Sequence, residues 1–111
     1  MVPAAAYEKL KDVARQRDLI GYRELAPFAD VDPNSEFAGP LVGWVLDQIN
    51  RQEHAAGRPL MSAIVVSKDT MRPGRGFYTC AKDLGAYSGG DDEGYWVGEL
   101  RRVYDFWAKE R

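Results

Sequence analysis

The chain has 111 residues, with 15 Lys and Arg against 17 Asp and Glu, and 45% of its residues are apolar. This length and apolar content predict one domain with one hydrophobic core, spanning residues 1–111. The net charge of −2 argues against binding of nucleic acid over the whole surface, and a single Cys and a single His exclude a disulfide framework and a Cys/His zinc finger. The apolar runs are too short to span a bilayer and the N-terminus lacks a basic region, so we expect a cytoplasmic protein without membrane contact.

The N-terminal part of the chain predicts a helix, a short extended segment and a second short helix. Residues 3–17 form the first of these helices, because Pro3 suits a first helical turn and apolar residues then recur at helical spacing. Residues 18–22 follow as the extended segment. Residues 23–29 predict a helix of one or two turns, since Pro27 is tolerated only near a helix start.

The strongest helical pattern lies in the centre of the chain. Residues 30–35, rich in Asp, Asn, Ser and Pro, predict a turn, and a long helix is expected to start near Glu36 or Pro40. We expect Gly57 to end this helix, because glycine accepts the left-handed conformation there. The predicted core stripe of the helix consists of Leu41, Trp44, Val45, Gln48 and Ile49.

The remaining residues predict a strand, a loop and two helices. Residues 62–67 are apolar and partly β-branched, which favours a short buried strand, and residues 68–76 form a loop with Pro and Gly. Helical spacing then predicts a helix that starts at Phe77 and ends at Gly85. A closing helix, capped by an aspartate at 91–92, is expected to carry an apolar face of Tyr95, Trp96, Leu100, Val103, Tyr104 and Trp107.

This order of elements predicts an α+β fold that is mostly helical. A helix, a short strand, two helices and a second strand are the order expected of a winged helix, whose second and third helices form a helix-turn-helix pair. We therefore predict a winged-helix-like core with a small sheet and an additional C-terminal helix. The loop at residues 68–76 is the candidate wing, although the residues after it favour a helix over a third strand.

A short segment of the chain resembles a known DNA-binding family. Residues 20–26, Ile-Gly-Tyr-Arg-Glu-Leu-Ala, are similar to the segment of alkylguanine-DNA alkyltransferases and alkyltransferase-like proteins in which a short strand runs through a tyrosine into the first helix of the DNA-binding pair. The resemblance implies a winged-helix-like arrangement. The family's active-site series of proline, cysteine, histidine and arginine is absent, and Cys80 has neither a preceding proline nor an adjacent histidine, so alkyl transfer to Cys80 is not expected.

Residues 51–75 are the only basic part of the chain, with five Lys and Arg against two Asp and Glu. The glycines of the loop at residues 72–76 would let the backbone approach an anion, to which arginines add charge-assisted hydrogen bonds; the alternative is a solvated loop. Asn50 and Arg51, on the predicted exposed face of the long helix, suit base edges or phosphates. We expect duplex DNA or another nucleic acid to contact Asn50, Arg51, Arg58, Lys68, Arg72 and Arg75.

The alternative prediction is a protein-interaction module, with self-association as one form of it. Phe106 falls off the apolar stripe of the closing helix, and together with Trp107 it is the candidate partner surface. No local signature links the lone His54 to a nucleophile, and Cys80 lies on an apolar helical stripe, where a free cysteine behaves as a small hydrophobe. We therefore predict a non-enzymatic protein without a cofactor or a metal.

Overall fold

The computed structural model describes residues 2–109. The chain is mostly helical, and within these residues no helix is both long and apolar enough to cross a membrane. The prediction of a mostly helical α+β fold is confirmed. In chain order the elements are helix α1 (Ala4–Arg15), strand β1 (Ile20–Gly21), helix α2 (Tyr22–Leu25), a 3-10 turn (Ala26–Ala29), helix α3 (Ala38–Ala55), a second 3-10 turn (Met61–Ile64), strand β2 (Val65–Val66), helix α4 (Arg75–Asp83) and helix α5 (Asp92–Lys109).

The two strands form a small parallel sheet that is buried in the core. Ile20 lies opposite Val65, and Gly21 lies opposite Val66. The chain leaves β2 into a loop that is closed by an antiparallel bridge, in which the Ser67 amide donates to the carbonyl oxygen of Arg72 at 2.9 Å. In the described part of the chain, the sheet has two strands, and the third strand expected of a wing is absent apart from this bridge.

The segment before β2 is a 3-10 turn because side chains from other elements take up its backbone hydrogen bonds. The Leu60 amide donates to Oε2 of Glu99 at 2.8 Å, and the Ser62 amide donates to Oδ1 of Asn50 at 3.0 Å. The indole Nε1 of Trp96 donates to the carbonyl oxygen of Ala63 at 2.8 Å. A buried backbone group needs one partner, which need not be a neighbouring strand. The predicted strand over residues 62–67 is therefore wrong at residues 62–64.

The core covers a different face of α3 from the one that the sequence predicts. Val42 and Leu46 are buried, together with Val45 and Ile49 of the predicted stripe. Leu41 and Trp44 were expected in the core, but they are 48% and 58% exposed. The helix is rotated by part of a turn relative to the predicted orientation, because its apolar residues satisfy helical spacing on two overlapping faces.

The glycines predicted to end α3 and α4 do so, whereas α4 begins at Arg75 and not at the predicted Phe77. Gly57 follows α3 with φ at 74°, and Gly85 follows α4 with φ at 75°, both in the left-handed region that glycine adopts at little cost. Oδ1 of Asp91 accepts a hydrogen bond from the Gly94 amide at 2.9 Å. The prediction that an aspartate at 91–92 caps the closing helix is confirmed.

Candidate functional site

Several of the cations predicted to contact nucleic acid are paired with carboxylates of the same chain. Lys68 Nζ lies 2.9 Å from Oε1 of Glu24, and Arg72 Nε lies 2.8 Å from Oε1 of Glu93. The Arg72 guanidinium also lies over the ring of Trp96, 5.2 Å from its centroid. A phosphate at either cation would compete with a counter-ion of the same chain, although exposed ion pairs of this kind are weak.

Arg51 is held at the junction of α3 and α4. Its Nε lies 2.8 Å from Oδ2 of Asp47, and its second contact is with Asp83 at 3.5 Å. The hydrogen bond from Arg51 keeps the pKa of Asp47 below its ordinary value. Arg51 therefore neutralises a carboxylate that would otherwise leave this part of the protein more acidic.

Arg58 compensates a buried charge. The side chain of Glu53 has no exposed surface, and its two oxygens accept hydrogen bonds from Nε and a terminal nitrogen of Arg58, each at 3.0 Å. The hydroxyl of Tyr7 donates to Oε1 of Glu53 at 2.8 Å. Burial, and to a smaller extent this hydrogen bond, raises the pKa of Tyr7 to about 12. The structure gives Arg58 a stabilising role in this cluster.

Arg75 is the predicted phosphate ligand that forms no ion pair within the described residues. It is exposed, and no hydrogen bond or ion pair of the described residues involves it. Lys82 lies two turns further along α4, and the two cations border a depression that also includes Tyr78 and Asp92. Of these two unpaired cations, only Arg75 belongs to the basic segment at residues 51–75.

Asn50 is buried, with 1% of its surface exposed, so the prediction that it lies on the exposed face of the long helix is wrong. The rotation of α3 turns this side chain inward. Its Nδ2 donates to Oγ of Ser62 at 2.7 Å, while its Oδ1 accepts the Ser62 amide. The pair belongs to the wall of a cavity and cannot reach a DNA groove.

That cavity lies between α2, α3 and α4 and has a volume of about 340 Å³. The hydroxyl oxygen of Tyr22 accepts a hydrogen bond from the Gly74 amide at 2.8 Å on one side of it. A Cβ at Gly74 would lie 2.8 Å from the same oxygen, so only glycine permits this approach. Burial raises the pKa of Tyr22 above its ordinary value.

Cys80 also lines the cavity, but its environment opposes nucleophilic chemistry. The thiol is buried, and burial together with the neighbouring Asp47 carboxylate raises its pKa to about 12. The thiolate is the reactive form, and it is scarce at neutral pH when the pKa is this high. In residues 2–109, the structure also shows no group of three or more His, Cys, Asp and Glu residues placed to hold a metal ion.

An exposed apolar surface lies on the outer side of α3. It consists of Phe37, Leu41 and Trp44, which are 61%, 48% and 58% exposed; we call these three residues the α3 apolar face. Their spacing of four and three residues places them side by side along the helix. The sequence from residue 37 to residue 46 contains no ionisable side chain. Three large apolar side chains grouped in this way make the face a candidate interaction surface.

The candidate partner surface on the closing helix is largely inside the protein. Trp107 is 6% exposed and belongs to the core, so it is not available as the partner surface that the sequence analysis predicted. Phe106 is partly buried and packs edge-to-face on Trp107, with ring centroids 5.0 Å apart. The aromatic residues of α5 mainly hold this helix on the rest of the fold.

Sequence reasoning missed the α3 apolar face and the cavity for related reasons. Leu41 and Trp44 were assigned to the core, and Tyr22 was considered only as part of the resemblance. A signal for the cavity was present in the sequence, since Gly39 and Gly43 stand four residues apart in a predicted helix, where glycine is unfavourable.

Comparison of the chain with protein-family models, with curated proteins and with solved structures found no match.

Proposed function

We propose that this chain is a non-enzymatic binding module that associates with a second copy of itself through the α3 apolar face. The observation that carries the proposal is the exposure of Phe37, Leu41 and Trp44 on one side of one helix. Large aromatic and aliphatic side chains that are exposed together are the usual centre of a protein interface. This surface replaces the closing helix as the site of the predicted protein interaction.

The chemistry of the face suits a second copy of the same chain. In an antiparallel pair of α3 helices related by a two-fold axis near Leu41, Phe37 of each copy lies beside Trp44 of the other. No like charges meet along the contact, because residues 37–46 are uncharged. At each end, Glu36 approaches the half of the partner helix in which Arg51 is paired with Asp47 at 2.8 Å. The pair brings no net charge of its own to the ends of the contact.

The substitution Leu41→Asp tests this interface. A charge at the centre of the contact would be desolvated without a partner, so we expect association to weaken by at least about 30-fold, the equivalent of a hot-spot loss of about 2 kcal/mol. Sedimentation velocity over a range of concentrations measures the effect. Met71→Asp is the matched control, because Met71 is 41% exposed and lies outside the α3 apolar face. A wild-type chain that stays monomeric, or equal weakening by both substitutions, would contradict the proposal.

We further propose a winged-helix-like arrangement for the core. The order α1, β1, α2, α3, β2 supports it, as does the position of the bridged loop directly after β2. In such an arrangement, α3 occupies the place of the recognition helix. The α3 apolar face would then be a protein-binding surface. It would lie where DNA-binding winged-helix proteins place their recognition helix in the DNA groove.

Nucleic-acid binding is the second candidate function, and the observation that favours it is the pair of open cations on α4. Arg75 and Lys82 are exposed on one side of the helix, and the described residues give neither an ion pair. Such side chains contact phosphates independently of sequence. The contact would be confined to α4, because the other predicted cations are paired with carboxylates.

A salt titration of duplex DNA binding tests this candidate with the double substitution of Arg75 and Lys82 to Ala. The slope of log K against log salt is negative, and each lost phosphate contact reduces its magnitude by about one. We therefore expect the double substitution to make the slope less steep by about two. The matched control removes two exposed cations of α5, Arg101 and Lys109, and is expected to leave the slope unchanged. The absence of measurable wild-type binding at low salt would rule this candidate out.

A further inference from the structure

The cavity between α2, α3 and α4 has the size of a small ligand site. Its volume of about 340 Å³ lies at the lower end of the range for such sites, about 300–1,000 Å³. Leu46, Phe77 and the Cys80 side chain give it apolar walls. Tyr22 and Asn50 contribute polar groups to its lining. Apolar walls with a few convergent polar groups are typical of sites that bind small molecules.

Glycines keep this cavity open at a cost in helix stability. Gly39 and Gly43 lie within α3 and Gly76 lies within α4, and a Cβ added at any of them would meet no atom within 4 Å. Alanine would therefore fit at each position and would favour the helix. Of the described helical glycines with this open space, Gly98 alone does not line the cavity. The space is therefore left by glycines of two regular helices, α3 and α4, and does not arise from loose packing of a loop.

The charges around the cavity favour an uncharged ligand. Its lining includes neither Lys nor Arg, so an anion such as a phosphate or a carboxylate finds no counter-ion there. The one charged side chain that lines it is Asp47, whose charge is already balanced by Arg51 at 2.8 Å. A cation is therefore not needed either, and burial of an unpaired charge would be costly.

The polar groups that line the cavity are complementary to a ligand that both accepts and donates hydrogen bonds. The Tyr22 oxygen accepts the Gly74 amide, and within residues 2–109 its hydroxyl proton has no acceptor, so it can donate to a carbonyl. The Asp47 carboxylate can accept an N–H group, because Arg51 occupies one of its oxygens more closely than the other. We infer that the cavity binds a small, neutral molecule with an apolar body and an amide-type edge.

Benzamide and benzoate form the probe pair for this site, because they share one shape and differ in charge. Titrations followed by NMR chemical shifts are expected to show benzamide binding at least about ten-fold more tightly than benzoate, with shifts at the residues that line the cavity. Equal affinity for the two probes, shifts elsewhere on the protein, or no binding of benzamide would overturn the inference.

The substitution Gly43→Leu tests the location of the site by filling it. Because the side chain enters open space and the helix gains a better former, the unfolding temperature is expected not to fall, while benzamide affinity drops at least about ten-fold. Gly98→Leu is the matched control: it places the same side chain at another exposed helical position, which does not line the cavity, and is expected to leave affinity unchanged. Gly43→Ala gives a smaller filling with the same direction of effect. A lower unfolding temperature for Gly43→Leu, or unchanged affinity, would show that the cavity is not the preformed site inferred here.

Discussion

Replacing Arg58 with alanine is expected to lower the free energy of unfolding by about 3–5 kcal/mol at neutral pH. The loss arises because the Glu53 carboxylate stays fully buried and, within residues 2–109, keeps only the Tyr7 hydroxyl as a hydrogen-bond donor. A buried charge without its counter-ion costs far more than the lost contact itself. Denaturant-induced unfolding, followed by tryptophan fluorescence, measures the change.

Two further variants separate the buried charge from the general effect of removing an arginine. Arg101→Ala removes an exposed arginine of α5 and is expected to change stability by less than about 0.5 kcal/mol. Replacing both Arg58 and Glu53 by methionine removes the charge as well as its counter-ion, and is expected to recover most of the loss. A loss for Arg58→Ala within the range of the exposed control would contradict the role assigned to the cluster.

This result also bears on the predicted nucleic-acid site. If Arg58 stabilises the fold through Glu53, its substitution weakens any DNA binding by unfolding the protein rather than by removing a phosphate contact. Arg75 and Lys82 are the cations whose loss tests phosphate contact without that complication, because neither forms an ion pair within the described chain.

Local patterns in the sequence predict the helices well. The end of α3 at Gly57, the end of α4 at Gly85 and the cap of α5 at Asp91 each depend on one residue whose backbone or side-chain chemistry is specific. Such signals act over a few residues, so they can be identified from the sequence without knowledge of the tertiary structure.

The strand before the basic loop shows where local patterns fail. The pattern of residues 62–64 favours a strand, but the backbone of Ser62 and Ala63 bonds to Asn50 and Trp96, and the amide of Leu60 just before them bonds to Glu99. Those partners are 12, 33 and 39 residues away along the chain. A pattern of neighbouring residues carries no information about a partner at that distance.

The orientation of α3 is the error with the largest consequence for function. Leu41 and Trp44 fit helical spacing as well as Val42 and Leu46 do, so periodicity could not choose between the two faces. The structure buries the second pair. This one rotation moves Asn50 from a predicted DNA-reading surface into the wall of the cavity, and exposes the residues that form the α3 apolar face.

The substitution Leu41→Cys provides the second large expected effect, because a two-fold axis near residue 41 brings the same position of two copies together. Cβ atoms about 3.5–4.5 Å apart can form a disulfide. Under mild oxidation we expect most of this variant to become a covalent dimer. The native Cys80 does not compete, since its thiol is buried and its pKa is raised to about 12.

Formation of this disulfide, measured by non-reducing electrophoresis beside the control Met71→Cys, tests the proposed interface most directly. Self-association through an antiparallel α3 pair predicts rapid cross-linking at residue 41 that is abolished by denaturant, and slow cross-linking at residue 71. Equal rates for the two variants, or a Leu41→Cys chain that stays monomeric, would contradict the proposal that the α3 apolar face binds a second copy of the chain.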